Sequence, residues 1–207
     1  MSKIEITKLE NSIYNSNSFI LSHAVGQNVE VWIVDMGDAE RIESIVPSTG
    51  LIKGVIFTHT HFDHMYGINR FLELHPEIRI ITNAFGKQAL VSPKLNFSRY
   101  HEESDDIICS RPENIDVIED GSELTLFGNV IMKSFATPGH DKSCMTYVVD
   151  DFVFCGDSYI PGVPTRATLP NSERSLVKNS ENLIKKLACH KTLCPGHGSI
   201  YKEYNNE

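Results

Sequence analysis

The chain has 207 residues, of which 41% are hydrophobic and 22% charged, and its formal net charge is −8. This composition is typical of an ordinary globular protein and predicts a single domain over residues 1–207. The acidic balance disfavours non-specific nucleic-acid binding, which needs a basic surface, and no apolar run approaches the ~20 residues that span a bilayer.

The first quarter of the chain predicts β-strands separated by Asn, Ser and Gly turn signals. Short runs rich in β-branched and aromatic residues favour strands. The predicted strands are IEITKLE at 4–10, SFILS at 18–22 and EVWIVD at 30–35. KGVIFT at 53–58 is a nearly continuous apolar run, which suits a strand that is covered on both faces.

Helices and strands alternate after residue 64. The run MYGINRFLEL at 65–74 predicts a helix that must end before Pro76. Its apolar residues share one helical face: Ile68, Phe71, Leu72 and Leu74. IRIIT at 78–82 predicts a strand and AFGKQALV at 84–91 a short helix. Residues 92–114 are polar and irregular, and a segment that long is typical of a lid or a binding loop.

The second half predicts several strands and one helix. The strands are expected at 115–120, 123–127, 129–137, 145–150 and 152–155. Asp150 and Asp151 suit a tight hairpin between the last two. A helix over 172–188, with Ser172 as its cap, presents one apolar stripe, and KTLCPGHG at 191–198 is a short strand that ends in a turn. This order predicts a layered α/β protein with mixed sheets.

The run THTHFDH at 58–64 concentrates side chains that bind metals. His59 and His61 lie two residues apart at the end of a predicted strand, so both rings point to the same side. Asp63 and His64 follow where the chain turns into a helix, so their side chains point in a different direction. Imidazole and carboxylate ligands suit Zn, Fe, Mn or Co. The run can therefore supply ligands to two neighbouring metal positions.

Three later donors follow glycine turns at the ends of predicted strands. They are His140 in TPGH, Asp157 in FCGD and His197 in CPGHG. Loops at strand ends commonly carry ligands. Together with the four donors of the first run they make seven. Two metals with three private ligands each and one shared carboxylate require that number.

These motifs resemble those of the metallo-β-lactamase-fold hydrolases. The HxHxDH motif of that superfamily stands here at residues 59–64, and its later motifs at 138–140, 156–157 and 195–198. An acidic residue at the end of an earlier strand matches Asp35. The resemblance covers about residues 15–200. It implies an α/β fold, an αββα four-layer sandwich of two mixed β-sheets flanked by helices, with the site at one edge.

The resemblance also implies a role for each donor. One metal would take His59, His61 and His140, and the other would take Asp63, His64 and His197. Asp157 would bridge the two ions together with a hydroxide that attacks the substrate, and Asp35 would hold the ligand loop by hydrogen bonds. The cofactors would be two divalent ions, zinc first, with iron or manganese as alternatives. Asp63 is a candidate proton acceptor, and Tyr159 a candidate hydrogen-bond donor to a substrate oxygen.

Two segments are similar to the hydroxyacylglutathione hydrolase (glyoxalase II-like) branch of that superfamily. They are SPKLNFS at 92–98 and the run from Gly156 through Leu169. Thr165-Arg166-Ala167-Thr168 stands where the branch has a Gly-Arg-Thr-Asp-like stretch, without its first glycine and its aspartate. We expect no C-terminal helical domain for glutathione, since ten residues follow His197. The expected activity is hydrolysis of a small thioester, lactone or other ester.

Other activities of the same fold remain alternatives. A persulfide dioxygenase-like oxidoreductase would hold one iron with a subset of the ligands, and a phosphodiesterase would act on RNA, against the acidic balance. A β-lactamase usually lacks the bridging aspartate, and flavodiiron proteins usually have Glu in place of His61. A small-molecule substrate is expected, with neither nucleic acid nor membrane as a partner.

The remaining cysteines and histidines are expected to be structural. No two of the five cysteines form a CxxC pair, and MSKIEITKLE is unlike a signal peptide, so we expect a cytoplasmic protein with free thiols. Cys144, Cys155 and Cys194 lie near the donors in sequence, where buried packing is the simpler expectation. The histidines outside the donor set are expected to be structural or exposed: His23, His75, His101 and His190.

Overall fold

The computed structural model describes residues 4–101 and 105–205. Within these residues the strands are β1 (Glu5–Glu10), β2 (Asn17–Val25), β3 (Asn28–Val34), β4 (Gly50–Ile56), β5 (Arg79–Thr82), β6 (Ile115–Val117), β7 (Glu123–Phe127), β8 (Val130–Ala136), β9 (Met145–Val149), β10 (Phe152–Gly156) and β11 (Thr192–Pro195). The helices are α1 (Ala39–Ile45), α2 (Ile68–Leu74), α3 (Ala84–Leu90) and α4 (Val177–Ala188). None of the described helices combines the length and the apolar composition needed to cross a bilayer.

Both sheets are mixed, as the sequence predicts. The first has the order β1-β2-β3-β4-β5-β6, antiparallel up to β3 and parallel from β3 onward. The second has the order β11-β10-β9-β8-β7, with one parallel pair, β10 with β11. The hairpin between β9 and β10 turns at Asp150, which has a φ of 53°. Parallel strands end at the same edge of a sheet, and this places several strand-end loops side by side.

The two sheets pack face to face and carry helices on their outer faces, which gives the αββα layers. Strand β4 shows why, because its alternate residues enter different clusters. Val55 packs with the helices on the outer face of the first sheet, and Ile56 packs with Trp32, Tyr147 and residues of the second sheet. Fully burying such an apolar side chain stabilises the fold by roughly 1.5–3 kcal/mol. The expected strand covered on both faces is thus confirmed.

Backbone hydrogen bonds join the two sheets at the edge where the donor loops lie. The amide of Met145 donates to the carbonyl of Thr58 over 2.8 Å, and the amide of Asn17 donates to the carbonyl of Gly196 over 2.7 Å. Each bond links a loop of one sheet to a strand end of the other. The loops that carry the donors are therefore held relative to one another by the main chain.

Several local features differ from the sequence predictions. The strand predicted at 115–120 ends at Val117, and the helix predicted at 65–74 begins at Ile68. Helix α1 has no counterpart among them, because a seven-residue helix with only Ala39 and Ile42 buried leaves little periodicity to read. Helix α4 begins at Val177, after a 3₁₀ turn, and the predicted cap Ser172 instead donates its hydroxyl to the carbonyl of His140 over 2.7 Å. Leu74, predicted on the buried face of α2, is 42% exposed.

The cysteines agree with expectation. All five are free, four of them buried and Cys189 exposed. Cys144, Cys155 and Cys194 lie among buried residues close to the donor loops, and burial raises the pKa of each thiol. Such thiols are protonated and poorly reactive at neutral pH.

Candidate metal centre

All seven predicted donors meet at one edge of the sandwich. The first four follow β4, and the others follow β8, β10 and β11. A 3₁₀ turn over Phe62–His64 gives Asp63 and His64 a direction different from that of the two preceding histidines. The extended run followed by a helical corner, expected from the sequence, is thus realised in the structure.

Six of the seven donors form two groups of three, the first triad and the second triad. The first triad is His59, His61 and His140, and the second triad is Asp63, His64 and His197. In each triad one side-chain donor atom per residue lies within 4.8 Å of the others. Nδ1 of His61 is 3.0 Å from Nε2 of His140, and Nε2 of His64 is 3.3 Å from Nε2 of His197.

Asp157 lies between the two triads. Its Oδ2 is 3.7 Å from Nε2 of His140 in the first triad and 3.4 Å from Nε2 of His197 in the second. Its Oδ1 is 3.7 Å from Nε2 of His64. A single carboxylate therefore faces donors of both triads, as a shared ligand must.

Every histidine of the centre has its second ring nitrogen occupied by a neighbouring group, called its outer partner here. The pairs are His59 with the hydroxyl of Thr58, His61 with the carboxylate of Asp141, His64 with the carboxylate of Asp35, His140 with the carbonyl of Arg166 and His197 with the carbonyl of Tyr14. Outer partners of this kind fix the tautomer and the orientation of a ligating ring. Each ring is left with one nitrogen that faces the other donors.

Asp35 acts where the sequence places it, behind the ligands. Its Oδ2 accepts a hydrogen bond from Nδ1 of His64 over 3.0 Å, and its Oδ1 accepts from the amide of Thr58 over 2.8 Å. The residue is 1% exposed and has a φ of 59°. A left-handed conformation is tolerated by Asp more readily than by most residues. The carboxylate thus holds both the start of the ligand run and one of its rings.

The histidine pKa values differ between the two triads. Burial lowers the pKa of His59 well below its ordinary value and also lowers the pKa of His140, and neighbouring imidazoles add to both shifts. Burial opposes protonation of His64 and His197 too, but the nearby carboxylates outweigh it and raise their pKa values to about 9 and about 10. At neutral pH the metal-free second triad therefore holds protons, whereas His59 and His140 offer free lone pairs.

The donor set fits divalent metal ions. Tetrahedral ligands at 2.0–2.1 Å from zinc lie about 3.3 Å apart, close to the donor spacings seen here. Nε2 of His59 and Oδ1 of Asp157 are buried and have no hydrogen-bond partner among the described residues. Buried polar atoms are normally satisfied, so two such atoms facing other donors indicate an ion-binding purpose.

Metal binding at the second triad is expected to release protons. A ligating imidazole must give up the proton on its ligand nitrogen, and His64 and His197 hold theirs up to about pH 9 and about pH 10. The apparent affinity of this triad should therefore rise as pH increases from 6 toward 9, by up to roughly tenfold per unit for each proton released. Calorimetric zinc titration in buffers of different ionisation enthalpy measures this release. If the first and the second zinc ion release equal numbers of protons on binding, the pKa difference between the two triads is contradicted.

Gly196 is expected to be indispensable for the position of Asp157. A Cβ at Gly196 would collide with Oδ1 of Asp157 and would lie 3.0 Å from Cε1 of His64. Gly196→Ala should push this carboxylate away and weaken zinc binding by the roughly 10- to 100-fold that disturbing the support of a ligand costs. A zinc competition titration measures the change.

Gly26→Ala is the matched control. Gly26 has a φ of 63°, and a Cβ added to it would meet no atom within 4 Å. The substitution should therefore cost about 1–2 kcal/mol of stability and leave zinc affinity unchanged. Wild-type zinc affinity in Gly196→Ala would show that the carboxylate moves aside without consequence.

A cavity of about 870 Å³ opens beside the donors. Five of the seven donors line it, together with aromatic and aliphatic side chains from four separate segments. Those walls are Tyr14, Phe62, Phe97, Tyr100, His101, Ile160, Val163, Pro164, Leu169 and Pro170. Its size is that of a site for a small organic molecule.

The 92–114 segment contributes to this cavity as a binding loop would. Phe97, Tyr100 and His101 come from it, while residues 102–104 lie outside the described part of the chain. His101, expected to be structural or exposed, stacks on Phe62 at 3.9 Å between ring centroids and is bonded to the hydroxyl of Tyr14. The 158–170 segment also lines the cavity, through residues such as Ile160 and Leu169.

Tyr159 does not lie where a donor to substrate would. Its hydroxyl lies 2.8 Å from that of Tyr204, the ammonium group of Lys185 lies 5.1 Å from its ring centroid, and it does not line the cavity. The side chain packs against α4 and the C-terminal segment, so the role expected for it is withdrawn. Sequence proximity to Asp157 did not reveal this, because the chain turns between the two residues.

Four of the five outer partners have no counterpart among the sequence predictions: the hydroxyl of Thr58, the carboxylate of Asp141 and the carbonyls of Tyr14 and Arg166. Asp141 follows His140 directly, and this adjacency to a donor is the one signal that could have revealed it. Tyr14 and Arg166 contribute backbone carbonyls, which every residue has. Backbone acceptors leave no mark in a sequence.

Comparisons with known proteins agree with this geometry. The model of the family described as "Metallo-beta-lactamase superfamily" matches residues 52–197. The chain is similar to a hydroxyacylglutathione hydrolase of Pseudoalteromonas translucida, with 25% identity over 150 residues, 71% of this chain and 48% of that protein. The chain thus spans about half the length of such relatives. A probable metallo-hydrolase of Streptococcus pyogenes is 26% identical over 94% of this chain and 84% of its own length.

The fold itself has close counterparts among solved structures. The crystal structure of BLEG-1, a B3 metallo-beta-lactamase, superposes with a TM-score of 0.80 and covers 95% of this chain and 93% of its own. Its sequence identity to this chain is 22%. Similarity at that level establishes the four-layer sandwich and leaves the reaction to be argued from the site.

Proposed function

Because this chain belongs to the metallo-beta-lactamase superfamily, whose members are generally metal-dependent hydrolases, we propose that it hydrolyses a small thioester or related ester with two divalent ions. One observation carries the proposal. Asp157 faces both triads, so that three donors on each side and one carboxylate between them could hold a pair of ions. That arrangement is the one a dinuclear hydrolytic centre needs.

Ions held by these residues would lower the pKa of a bound water toward about 7 and would polarise the oxygen of the bond to be cleaved. The residues of the chain supply the rest. The five outer partners keep the imidazoles in fixed orientations, so little reorganisation accompanies the reaction. The mostly apolar cavity walls would contact the part of the substrate that does not react.

Asp63 is the carboxylate that we propose as a proton acceptor, a role that its service as a ligand of the second triad would restrict. It lies at the cavity wall, and although burial favours its neutral form, His64 and His197 hold its pKa below the ordinary value. It is therefore ionised at neutral pH. A positioned carboxylate can take the proton that the attacking water loses and pass it toward the leaving group.

The cavity and the relatives together support the substrate class. A volume of about 870 Å³ with mostly apolar walls suits an acyl group of modest size. The similar protein of Pseudoalteromonas translucida is named for hydrolysis of hydroxyacylglutathione, a thioester. A thioester is therefore the first candidate, and a lactone or another small ester is the second. Zinc is the metal expected first, with iron or manganese also compatible with these ligands.

A substrate panel with metal-quantified protein tests the proposal. Thioesters, lactones, bis(p-nitrophenyl) phosphate and a chromogenic β-lactam should be assayed with the zinc-, iron- and manganese-loaded chain. Turnover of a thioester or small ester that scales with occupancy at two ions per chain supports the proposal.

The same experiment separates the alternatives. Oxygen uptake with glutathione persulfide at one iron per chain would indicate the oxidoreductase that uses a subset of these ligands. Turnover of the phosphodiester alone would indicate the phosphodiesterase. Either result would overturn the proposed hydrolysis of thioesters.

A further inference from the structure

Asp141 connects two chain segments that supply the first triad. It directly follows His140, yet its Oδ2 lies 3.2 Å from Nε2 of His61, a residue 80 positions earlier. Asp141 is 1% exposed. A buried carboxylate bonded to a ligand of the other segment can control that ligand without touching the ion.

Asp141 is itself held rigidly through its other oxygen. Oδ1 accepts hydrogen bonds from the amide and from the hydroxyl of Ser143, at 2.7 and 2.5 Å. The hydroxyl oxygen of Ser143 in turn accepts a bond from the amide of Thr60 over 3.0 Å. Since Oδ1 is fully engaged, Oδ2 is the atom left to face His61.

His61 differs from the other four histidines of the centre in the way its ring is turned. Its Nδ1 faces Nε2 of His140 within the triad, and its Nε2 faces Asp141. The other four have the opposite arrangement, with Nδ1 bonded to the outer partner: His59, His64, His140 and His197. His61 must therefore carry its proton on Nε2 to offer a lone pair from Nδ1.

We propose that Asp141 is a positioning residue that fixes the Nε2–H tautomer of His61 and thereby sets the metal affinity of the first triad. This role rests on the metal centre of the proposed function and not on the identity of the substrate. Ser143 supports this role because its amide and hydroxyl orient the carboxylate of Asp141. Its hydroxyl oxygen also accepts a hydrogen bond from the amide of Thr60, which lies between His59 and His61.

The geometry predicts an unusual order among substitutions. In Asp141→Asn the amide oxygen must take the place of Oδ1, because two donors of Ser143 point there. The amide NH₂ then faces His61 and donates to Nε2, which favours the Nδ1–H tautomer and removes the lone pair needed by a metal. Asp141→Ala lacks this opposing donor and leaves both tautomers open.

The test is a zinc competition titration of the full chain against a chromophoric chelator. Asp141→Asn should weaken one of the two zinc positions by roughly 10- to 100-fold, and Asp141→Ala should weaken it less. Ser143→Ala, which keeps the carboxylate, should give a smaller loss still. Asp38→Asn is the matched control, since Asp38 accepts bonds from Ser12, Arg41 and Tyr66 but from none of the donors. It should retain both affinities.

Imidazole ¹⁵N spectra of the metal-free chain give a second measurement. His61 should be the Nε2–H tautomer in the wild type and shift toward Nδ1–H in Asp141→Asn. A purely structural role would not invert the tautomer, and Ser143→Ala keeps the test open should an Asp141 variant fail to fold.

Two results would overturn the positioning role: unchanged zinc affinity in Asp141→Asn, or a greater loss in Asp141→Ala than in Asp141→Asn. Neither depends on turnover. If the substrate panel fails while the order of affinities holds, the proposed reaction is wrong and the positioning role stands. If the substrate panel succeeds and the variants bind zinc with unchanged affinity, the positioning role is wrong and the proposed reaction stands.

Discussion

His61→Ala is expected to remove one of the two metal positions and to lower kcat/KM by on the order of 10³-fold or more. The substitution leaves His59 and His140 as the only private ligands of the first triad. Loss of an ion that polarises the substrate costs several kcal/mol of transition-state stabilisation, and each 1.36 kcal/mol is about a factor of ten in rate. Metal analysis should show one ion per chain, against the two proposed for the wild type.

His75→Ala is the matched control for this experiment. His75 is bonded to Glu43 over 2.8 Å and lies at the end of α2, away from the donors. It should keep both ions and full activity. If His61→Ala binds two ions and turns over substrate at the wild-type rate, the assignment of the first triad is wrong.

Asp157→Ala is expected to disturb both metal positions at once. Its carboxylate faces His140 in the first triad and His64 and His197 in the second, so no private ligand can replace it. We expect the affinity for both ions to fall and kcat/KM to decrease by on the order of 10³-fold or more. Removal of the carboxylate should also lower the pKa of His197, since its bond to Asp157 is the first of the contacts that raise it.

The contrast between the two variants tests whether the centre is shared. His61→Ala should keep one tight zinc position, whereas Asp157→Ala should keep none at wild-type affinity. Asp116→Ala, which removes an exposed carboxylate paired with Arg79, controls for loss of charge and should change neither property. Retention of one unaltered zinc position in Asp157→Ala would show that Asp157 serves a single ion.

The strands are readable in the sequence because their burial follows its pattern. The nearly continuous apolar run at 53–58 overlaps β4, whose last three residues are buried, and the Asp150–Asp151 turn joins two antiparallel strands as expected. Helix α1 and the true start of α4 are not readable, because short helices depend on packing more than on their own periodicity. Ser172 shows the difficulty, since a residue typical of a helix cap bonds to His140 instead.

The sequence by itself determined which side chains could serve as donors, because imidazole and carboxylate chemistry at strand ends is visible in motifs such as those at 59–64 and 195–198. Only the tertiary structure decided how each ring is turned, which wall faces the substrate and what supports the ligands. Those choices rest on contacts between distant segments, such as Asp141 with His61, and on backbone carbonyls such as that of Tyr14. A hydrogen bond from a ring to a carbonyl depends on where the chain passes and not on which residue it carries there.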